Sequence, residues 1–148
     1  MNAVIRNTII FLVACCSVAC QSTMSGQTGG DNLAADFRSI VELWQKRDID
    51  HISDLVDENY RGHTSAGVRN RDGLQLRIEK FHALYSKIQF RVLDQLVSGD
   101  RVATRLDATC TDKATGKVLH MIGMNISIFK NRKQIEEWAT WEISASPD

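Results

Sequence analysis

The sequence predicts an α+β fold in which three amino-terminal helices pack on a curved antiparallel sheet. Between residues 31 and 86, apolar residues recur every three or four positions, which is the spacing of amphipathic helices. From Ile88 onwards apolar and polar residues alternate, as they do in half-buried strands, and short polar turns separate the stretches. Helices followed by hairpin-linked strands favour a helical layer on an antiparallel meander, with a conical pocket between the two layers.

The helical half of the chain is recognised by its caps and apolar stripes. Asp31 or Asn32 can cap the first helix, whose apolar stripe ends at Trp44. The elements expected after it are a short helix from about Ile49, an extended segment at 60–65, a loop at 67–73 and a third helix over about 72–86.

The strand half of the chain ends in its longest predicted hairpin. Residues 116–129 and 133–142 are two long strand-like segments joined by a tight polar turn. Because side chains alternate between the faces of a strand, one face of the last strand carries Trp138, Thr140 and Glu142. We expect that face to point into the pocket.

Composition argues against several classes of function. Eighteen basic residues balance eighteen acidic ones, so no basic surface predicts a nucleic-acid partner. No cluster of His, Cys and acidic residues has the spacing of metal ligands, and no glycine-rich strand-to-helix loop predicts a nucleotide site. We therefore expect neither a metal nor a cofactor.

Residues 1–19 have the features of a secretory signal, because a positive charge precedes an apolar run that is too short for a standard transmembrane helix. The end of this run resembles the lipobox of bacterial lipoproteins, in which a Cys after a small residue becomes the lipidated first residue of the mature protein. Two registers fit: Cys20 follows Ser-Val-Ala and leads into a polar tail, whereas Cys15 follows Leu-Val-Ala. Cys20 is favoured, and a plain cleaved signal or a retained signal anchor are the alternatives.

Residues 20–30 are rich in Ser, Gln, Thr and Gly and are expected to form a flexible tether before the folded domain at 31–148. The lipobox resemblance implies an exported domain that a lipid anchors to a membrane facing the periplasm; a soluble periplasmic or secreted protein is the alternative. Cys110 is the only cysteine of the folded domain, so we expect a small buried side chain there and no internal disulfide.

A broader resemblance rests on an ordered set of local signals. Trp44 lies near the end of the first helix, His63 closes the first short strand, and the segment 98–142 contains a Gly-Asp turn, a Thr-Gly pair and a Glu-x-Trp ending. This order resembles the NTF2-like superfamily and, within it, the SnoaL-like proteins. The resemblance implies a small α+β cone, often a homodimer through its sheet, with a mostly apolar pocket that uses no metal. Some members are cyclases, isomerases or hydrolases, and many have no demonstrated catalysis.

The resemblance also implies candidate catalytic residues. In cyclase members an Asp that acts as acid or base stands four residues after the Trp that corresponds to Trp138, and Glu142 occupies that position here. A carboxylate beside a Trp in an apolar pocket has a raised pKa, which suits proton abstraction next to a carbonyl; a solvated Glu at a strand end is the alternative. His63 matches a His near the pocket mouth of the family. Its possible roles are a second acid or base, a hydrogen-bond donor to a ligand oxygen, or a hydrogen-bond partner of loop backbone groups.

Further side chains are candidates for ligand contact. Asp94 shares the parity of Val92 and is a second possible pocket carboxylate, and His120 lies on an apolar strand face where a core histidine is the alternative. The expected pocket walls are Trp44, Tyr60, Phe81, Met124 and Trp138.

Two functions of different classes follow, and the sequence leaves open whether the protein is an enzyme. The first is an exported module that binds a small apolar or carbonyl-containing ligand without chemistry of its own. The second is a cofactor-free enzyme of isomerase, cyclase or hydrolase type, with Glu142 as general base and His63 as its partner. A structural dimerisation domain is a third possibility that makes less use of a pocket.

Overall fold

The computed structural model describes residues 27–144. The predicted signal at 1–19, both candidate lipidation sites (Cys15 and Cys20) and most of the predicted tether lie outside the described residues. The elements in chain order are α1 (Gln27–Lys46), a 3-10 turn (Ile49–His51), α2 (Ile52–Leu55), β1 (Val56–Thr64), β2 (Gly67–Arg69), α3 (Arg71–Leu84), β3 (Tyr85–Ser98), β4 (Arg101–Asp112), β5 (Val118–Lys130) and β6 (Lys133–Ser144).

The helices pack on one face of a single six-stranded sheet, which confirms the predicted α+β cone. The strand order is β2-β1-β6-β5-β4-β3. The meander from β3 to β6 is antiparallel as predicted, but β1 lies parallel to β6, so the sheet is mixed. Parallel neighbours need a long crossover, and α3 with the whole meander supplies it.

Several local boundaries differ from the sequence prediction, among them the start of β1 at Val56 and the start of β3 at Tyr85. Helix α1 begins at Gln27, four residues before the predicted cap Asp31. Gly30 lies against Val97 of β3, a tertiary contact that helix propensity does not reveal. The predicted loop after β1 contains the short strand β2, which forms an antiparallel hairpin with the end of β1.

Bulges in β3 interrupt the regular alternation of its side chains. The pairing of β3 with β4 shifts between Ser86 and Gln89 and again between Val92 and Asp94. Val92 packs against the core, whereas Asp94 has a side chain that is 64% exposed. An inserted residue moves every later side chain to the opposite face. The prediction that Asp94 shares the face of Val92 is therefore wrong.

The core lies between the helices and the inner face of the sheet. One cluster joins α1 to β4 and β5 through Phe37, Ile40, Val102, Leu106 and Phe129, and another joins α1, α2, β1 and α3 through Leu43, Ile52, Val56, Tyr60, Leu74 and Ile78.

Cys110 is buried as predicted, and burial raises the pKa of its thiol. At the rim of the core, the buried Asp36 carboxylate accepts two hydrogen bonds from Arg132, at 2.6 and 3.1 Å.

Candidate functional site

A cavity of about 130 Å³ lies between the helices and the inner face of the sheet. A single water needs only about 10–15 Å³, so this cavity has room for a small organic molecule. The residues that line it come from both layers: Phe37, Ile40, Val41, Trp44, Tyr60, Gly62, Thr64, Arg69, Leu74, Arg77, Phe81, Phe90, Leu106, Met121, Asn125, Glu137, Ala139 and Trp141.

Four aromatic rings form one end of the cavity. Trp44 contacts Phe81 and Phe90 edge to face, with ring centroids 6.2 and 6.5 Å apart. Phe90 meets Trp141 in the same geometry, at 5.9 Å. Edge-to-face pairs at these distances are favourable and restrict the rings. This end therefore offers an apolar wall that is largely formed before any ligand arrives.

Gly123 makes room for one of these rings. It stands directly opposite Trp141 in the antiparallel pair β5–β6, and a Cβ added there would lie 2.6 Å from the indole. No side chain fits at that separation, so the indole lies flat over the β5 backbone only because this position is glycine.

The other end of the cavity holds a hydrogen-bonded carboxylate. The Tyr60 hydroxyl donates to Glu137 Oε2 at 2.7 Å, and the Asn125 amide donates to Glu137 Oε1 at 3.0 Å. Tyr60 is 1% exposed, and burial followed by the charge of Glu137 raises the pKa of its phenol far above the usual range. Gly62 keeps the contact possible, because a Cβ there would lie 2.5 Å from the Tyr60 hydroxyl.

Two arginines complete the polar end. Arg69 of β2 donates to Thr64 Oγ1 at 2.9 Å, and Arg77 of α3 lines the same part of the cavity. Burial and then the positive charge of Arg69 lower the pKa of Arg77. Arg69, Arg77 and Glu137 are the charged side chains of the cavity wall within residues 27–144.

The expected inward face of β6 is the outer one. Glu137, Ala139 and Trp141 line the cavity, whereas Trp138 is 40% exposed and Thr140 and Glu142 are exposed on the opposite face. The prediction that Glu142 points into the cavity beside Trp138 is therefore wrong. Its carboxylate stands in solvent, so the geometry gives no support to Glu142 as a base for a ligand in the cavity.

His63 also belongs to the outer face. Its ring stacks on Trp138 with centroids 4.9 Å apart, and its Nε2 is 2.8 Å from Glu136 Oε1. Arg61 donates to the same oxygen at 2.7 Å. The hydrogen bond from His63 and then that from Arg61 lower the pKa of Glu136. His63 does not reach Glu142 or the cavity wall, so the predicted pair is not assembled.

The remaining predicted site residues divide between the two faces. Trp44 and Tyr60 line the cavity, as does Phe81, and their contact with a ligand remains a prediction. Asp94 accepts hydrogen bonds from Arg105 at 2.5 and 2.9 Å on the outer face. The other predicted ligand-contact residues on the outer face are the half-buried His120 and the exposed Met124 and Trp138.

Sequence reasoning missed Glu137, Asn125 and both cavity arginines. One signal was available for β6: the strand carries a Trp on each face, and only Trp141 has a glycine opposite it in the hairpin. The register that pairs Gly123 with Trp141 places Glu137 inward by the period of two. Arg69 and Arg77 had no comparable signal, since charged residues on a short strand and a helix are usually solvated.

The part of the chain from Gln27 to Ser144 contains no group of three or more His, Cys, Asp or Glu side chains placed to hold a metal ion. Its helices include none that combines the length and the apolar character required to cross a membrane.

Comparison with solved structures identifies the fold. IdmH from Streptomyces antibioticus, described as a putative polyketide cyclase, superposes with a TM-score of 0.68 at 20% identity, over 74% of this chain and 91% of that one. A putative polyketide cyclase from Bacillus cereus gives a TM-score of 0.71 at 24% identity over 78% of each chain. An NTF2-like protein of unknown function from Burkholderia pseudomallei gives 0.65 at 14% identity, over 75% of this chain and 91% of that one.

Comparison of sequences identifies the family. No curated protein matches the chain by sequence. The profile of the SnoaL-like domain matches residues 37–138, which is more than half of the chain and runs from the middle of α1 to the middle of β6. The cavity described above lies almost wholly within the matched residues. The chain therefore belongs to the SnoaL-like domain family, with the NTF2-like α+β cone as its fold.

Proposed function

We propose that this domain binds a small apolar or carbonyl-containing molecule in the cone cavity. The observation that carries the proposal is the division of the cavity into two ends. Trp44, Phe90 and Trp141 form a rigid apolar wall, and Glu137 with Asn125 forms a hydrogen-bonding group at the far side. Ligand sites of proteins combine a mostly apolar concave wall with a few placed polar groups in this way.

A ligand screen with a cavity-filling variant tests the binding proposal. Small carbonyl and aromatic compounds are screened by thermal shift and by fluorescence of Trp44 and Trp141, both of which line the cavity. Ala139→Leu places extra carbon in the cavity wall and is expected to abolish the response to every compound found. Ala35→Leu makes the same change on an exposed position of α1 and leaves the response intact. Equal binding by the wild type and a folded Ala139→Leu protein would exclude the cavity as the site.

The second candidate is a cofactor-free enzyme of isomerase, cyclase or hydrolase type, in which Glu137 replaces Glu142 as the proposed base. The observation that favours it is a carboxylate inside the cavity whose two oxygens each accept only one hydrogen bond from described residues. Each oxygen has capacity for a further bond. A carbonyl ligand beside Glu137 presents its adjacent C–H to a base that is held in place by Tyr60 and Asn125.

Proton exchange distinguishes the enzyme proposal from the binding proposal. A carbonyl compound found in the screen is incubated with the protein in D₂O, and loss of its α-proton signal is followed by NMR. The enzyme proposal expects exchange with the wild type and with Glu142→Gln, and none above background with Glu137→Gln. Exchange that survives Glu137→Gln, or is absent from a wild-type protein that binds the compound, removes this candidate and leaves the binding module.

We further propose that the outer face of the sheet binds a second copy of the chain. Its exposed apolar side chains include Leu96, Ile122, Met124, Ile126 and Trp138, each at least 40% exposed. Contiguous apolar surface of this kind marks interaction sites. Asp94 and Arg105 on the same face form an ion pair with no net charge, so the pair does not repel its symmetry-related copy in a two-fold contact. Analytical ultracentrifugation should show a dimer that Ile126→Glu dissociates and Leu84→Glu, on exposed α3, does not. A monomeric wild type at all concentrations would refute the contact.

The predicted export and lipid anchor stand as a separate proposal. They rest on the apolar run and the cysteines of residues 1–20. Intact-mass analysis of protein extracted from membranes should show a diacylglyceryl mass on the amino-terminal Cys20. The same mass on Cys15 would place the cleavage site before Cys15, and an unmodified cleaved product would exclude the anchor.

A further inference from the structure

We infer that the molecule bound in the cavity is an apolar or aromatic carboxylic acid whose carboxylate pairs with Arg69 and Arg77. This inference rests on the proposed function of the cavity as a ligand site and names the chemical class of the ligand.

The charges that line the cavity do not balance. Within residues 27–144, the charged side chains of the wall are Arg69, Arg77 and Glu137, two cations against one anion. Glu137 already accepts hydrogen bonds from Tyr60 and Asn125. In this part of the chain neither arginine has a carboxylate within the 4.0 Å of an ion pair. The wall therefore has an excess positive charge.

That excess is unfavourable until an anion enters. Arg77 is only partly exposed, and burial and then the neighbouring charge of Arg69 work against its protonated form by more than Glu137 favours it, as the lowered pKa of Arg77 reflects. An anion placed between two guanidinium groups removes their mutual repulsion and compensates their lost hydration. A carboxylate suits the planar fork of each guanidinium, which can donate two parallel hydrogen bonds.

Arg69 and the ring of Phe90 lie on opposite sides of the cavity, and Arg77 lies on α3 one helical turn before Phe81. Arg69 is on β2, which is one edge strand of the sheet, and Phe90 is on β3, which is the other edge strand. A ligand that spans the cavity thus has its anionic group near β2 and its apolar body near Trp44 and Trp141. This polarity favours an amphipathic acid over a small inorganic anion, which would leave the aromatic wall without contact.

One buried acceptor lies between the two ends. Asn125 is 8% exposed and stands on β5, inside the sheet, and its Oδ1 has no hydrogen-bond partner among residues 27–144. A buried oxygen without a donor costs about 1–3 kcal/mol. A hydroxyl or amine on the body of the acid would supply that donor. Hydroxyl-bearing aryl acids are therefore expected to bind more tightly than their unsubstituted parents.

Matched acid and amide probes test the inference. Benzoate, phenylacetate, 3-phenylpropionate and 2-naphthoate are titrated by calorimetry and tryptophan fluorescence, each beside its neutral primary amide. Wild-type protein should bind at least one acid about tenfold or more tightly than its amide, and the difference should shrink as salt rises. Arg77→Met and Arg69→Met should abolish the preference for the acid while binding of the amide remains. Arg38→Met changes an exposed arginine of α1 and should leave the preference unchanged.

The outcomes separate this inference from the function on which it rests. Equal affinity for acid and amide in the wild type, with Ala139→Leu abolishing both, would overturn the anion site and keep the cavity as a ligand site. Absence of binding by any acid or amide would count against the ligand and the cavity function together. A preference for acids that survives both folded arginine variants would also overturn the inference, since the anion would then bind elsewhere.

Discussion

Tyr60→Phe is the most informative single change, because it removes one oxygen from a buried contact and leaves the ring in place. The phenol is 1% exposed and donates to Glu137 Oε2 at 2.7 Å. Hydrogen bonds to a charged group contribute about 1.5–3 kcal/mol to stability, and removal of one partner leaves the other without its donor. We therefore expect the free energy of unfolding to fall by about 1.5–3 kcal/mol.

The pH dependence of this difference is a second, independent signature. Burial raises the pKa of Tyr60 in the folded state, so the phenol stays protonated when the unfolded chain ionises near pH 10. A raised folded-state pKa means that the contribution is complete below about pH 10 and is lost as the pH rises. Each pH unit beyond that point removes up to about 1.4 kcal/mol from the wild type and nothing at this position from Tyr60→Phe. The gap between the two stabilities should therefore be about 1.4 kcal/mol smaller at pH 11 than at neutral pH.

Urea unfolding followed by far-UV circular dichroism measures both effects. Tyr85→Phe changes the other tyrosine, for which no side-chain hydrogen bond is found among residues 27–144, and should alter stability by less than about 0.5 kcal/mol. In the Tyr85→Phe protein only Tyr60 can form a phenolate, so absorbance near 295 nm should appear only on unfolding. A neutral Tyr60→Phe change, or a gap to the wild type that stays constant up to pH 11, would refute the buried contact.

Two further changes test other parts of the structure. Gly123→Ala places a Cβ 2.6 Å from the ring of Trp141, so we expect a loss of about 1–3 kcal/mol in urea unfolding and a shifted tryptophan emission; unchanged emission would contradict the close contact. Hydrogen bonds from His63 and Arg61 lower the pKa of Glu136, so their stabilisation is present above about pH 4.3 and is lost as the pH falls through the folded-state pKa. Glu136→Gln should therefore be less stable than the wild type at pH 6, and this deficit should shrink as the pH falls through the folded-state pKa; a gap that does not shrink in acid would disprove the coupling.

The placement of the candidate site shows where reasoning from the sequence stops. Period two correctly grouped Trp138 with Glu142 on one face of β6, but it does not say which face meets the helices. Both faces of the strand carry a tryptophan, so hydrophobicity alone does not decide between them. The choice depends on the partner strand, where Gly123 leaves space for Trp141, and on α1 and α3, which contribute the facing aromatic rings.

The error at Asp94 has a different cause. Alternation is reliable only while a strand is regular, and β3 contains a bulge between Val92 and Asp94. No residue type in this stretch marks the bulge, because neither Gly nor Pro occurs there. The inserted residue turns Asp94 outward to Arg105, and an expected cavity carboxylate becomes part of a surface ion pair.

The sequence alone determined the fold class of this protein, because local patterns specify helices and strands. Apolar spacing of three and four before Ser86, alternation after it and polar turns between the strands suffice for three helices on a meander. Tertiary structure alone decided the parallel docking of β1 on β6, the faces of β6 and β3, and the meeting of Glu137 with Tyr60. Those features depend on contacts between residues far apart in the chain, such as the 77 positions that separate Tyr60 from Glu137, and no local pattern encodes such contacts.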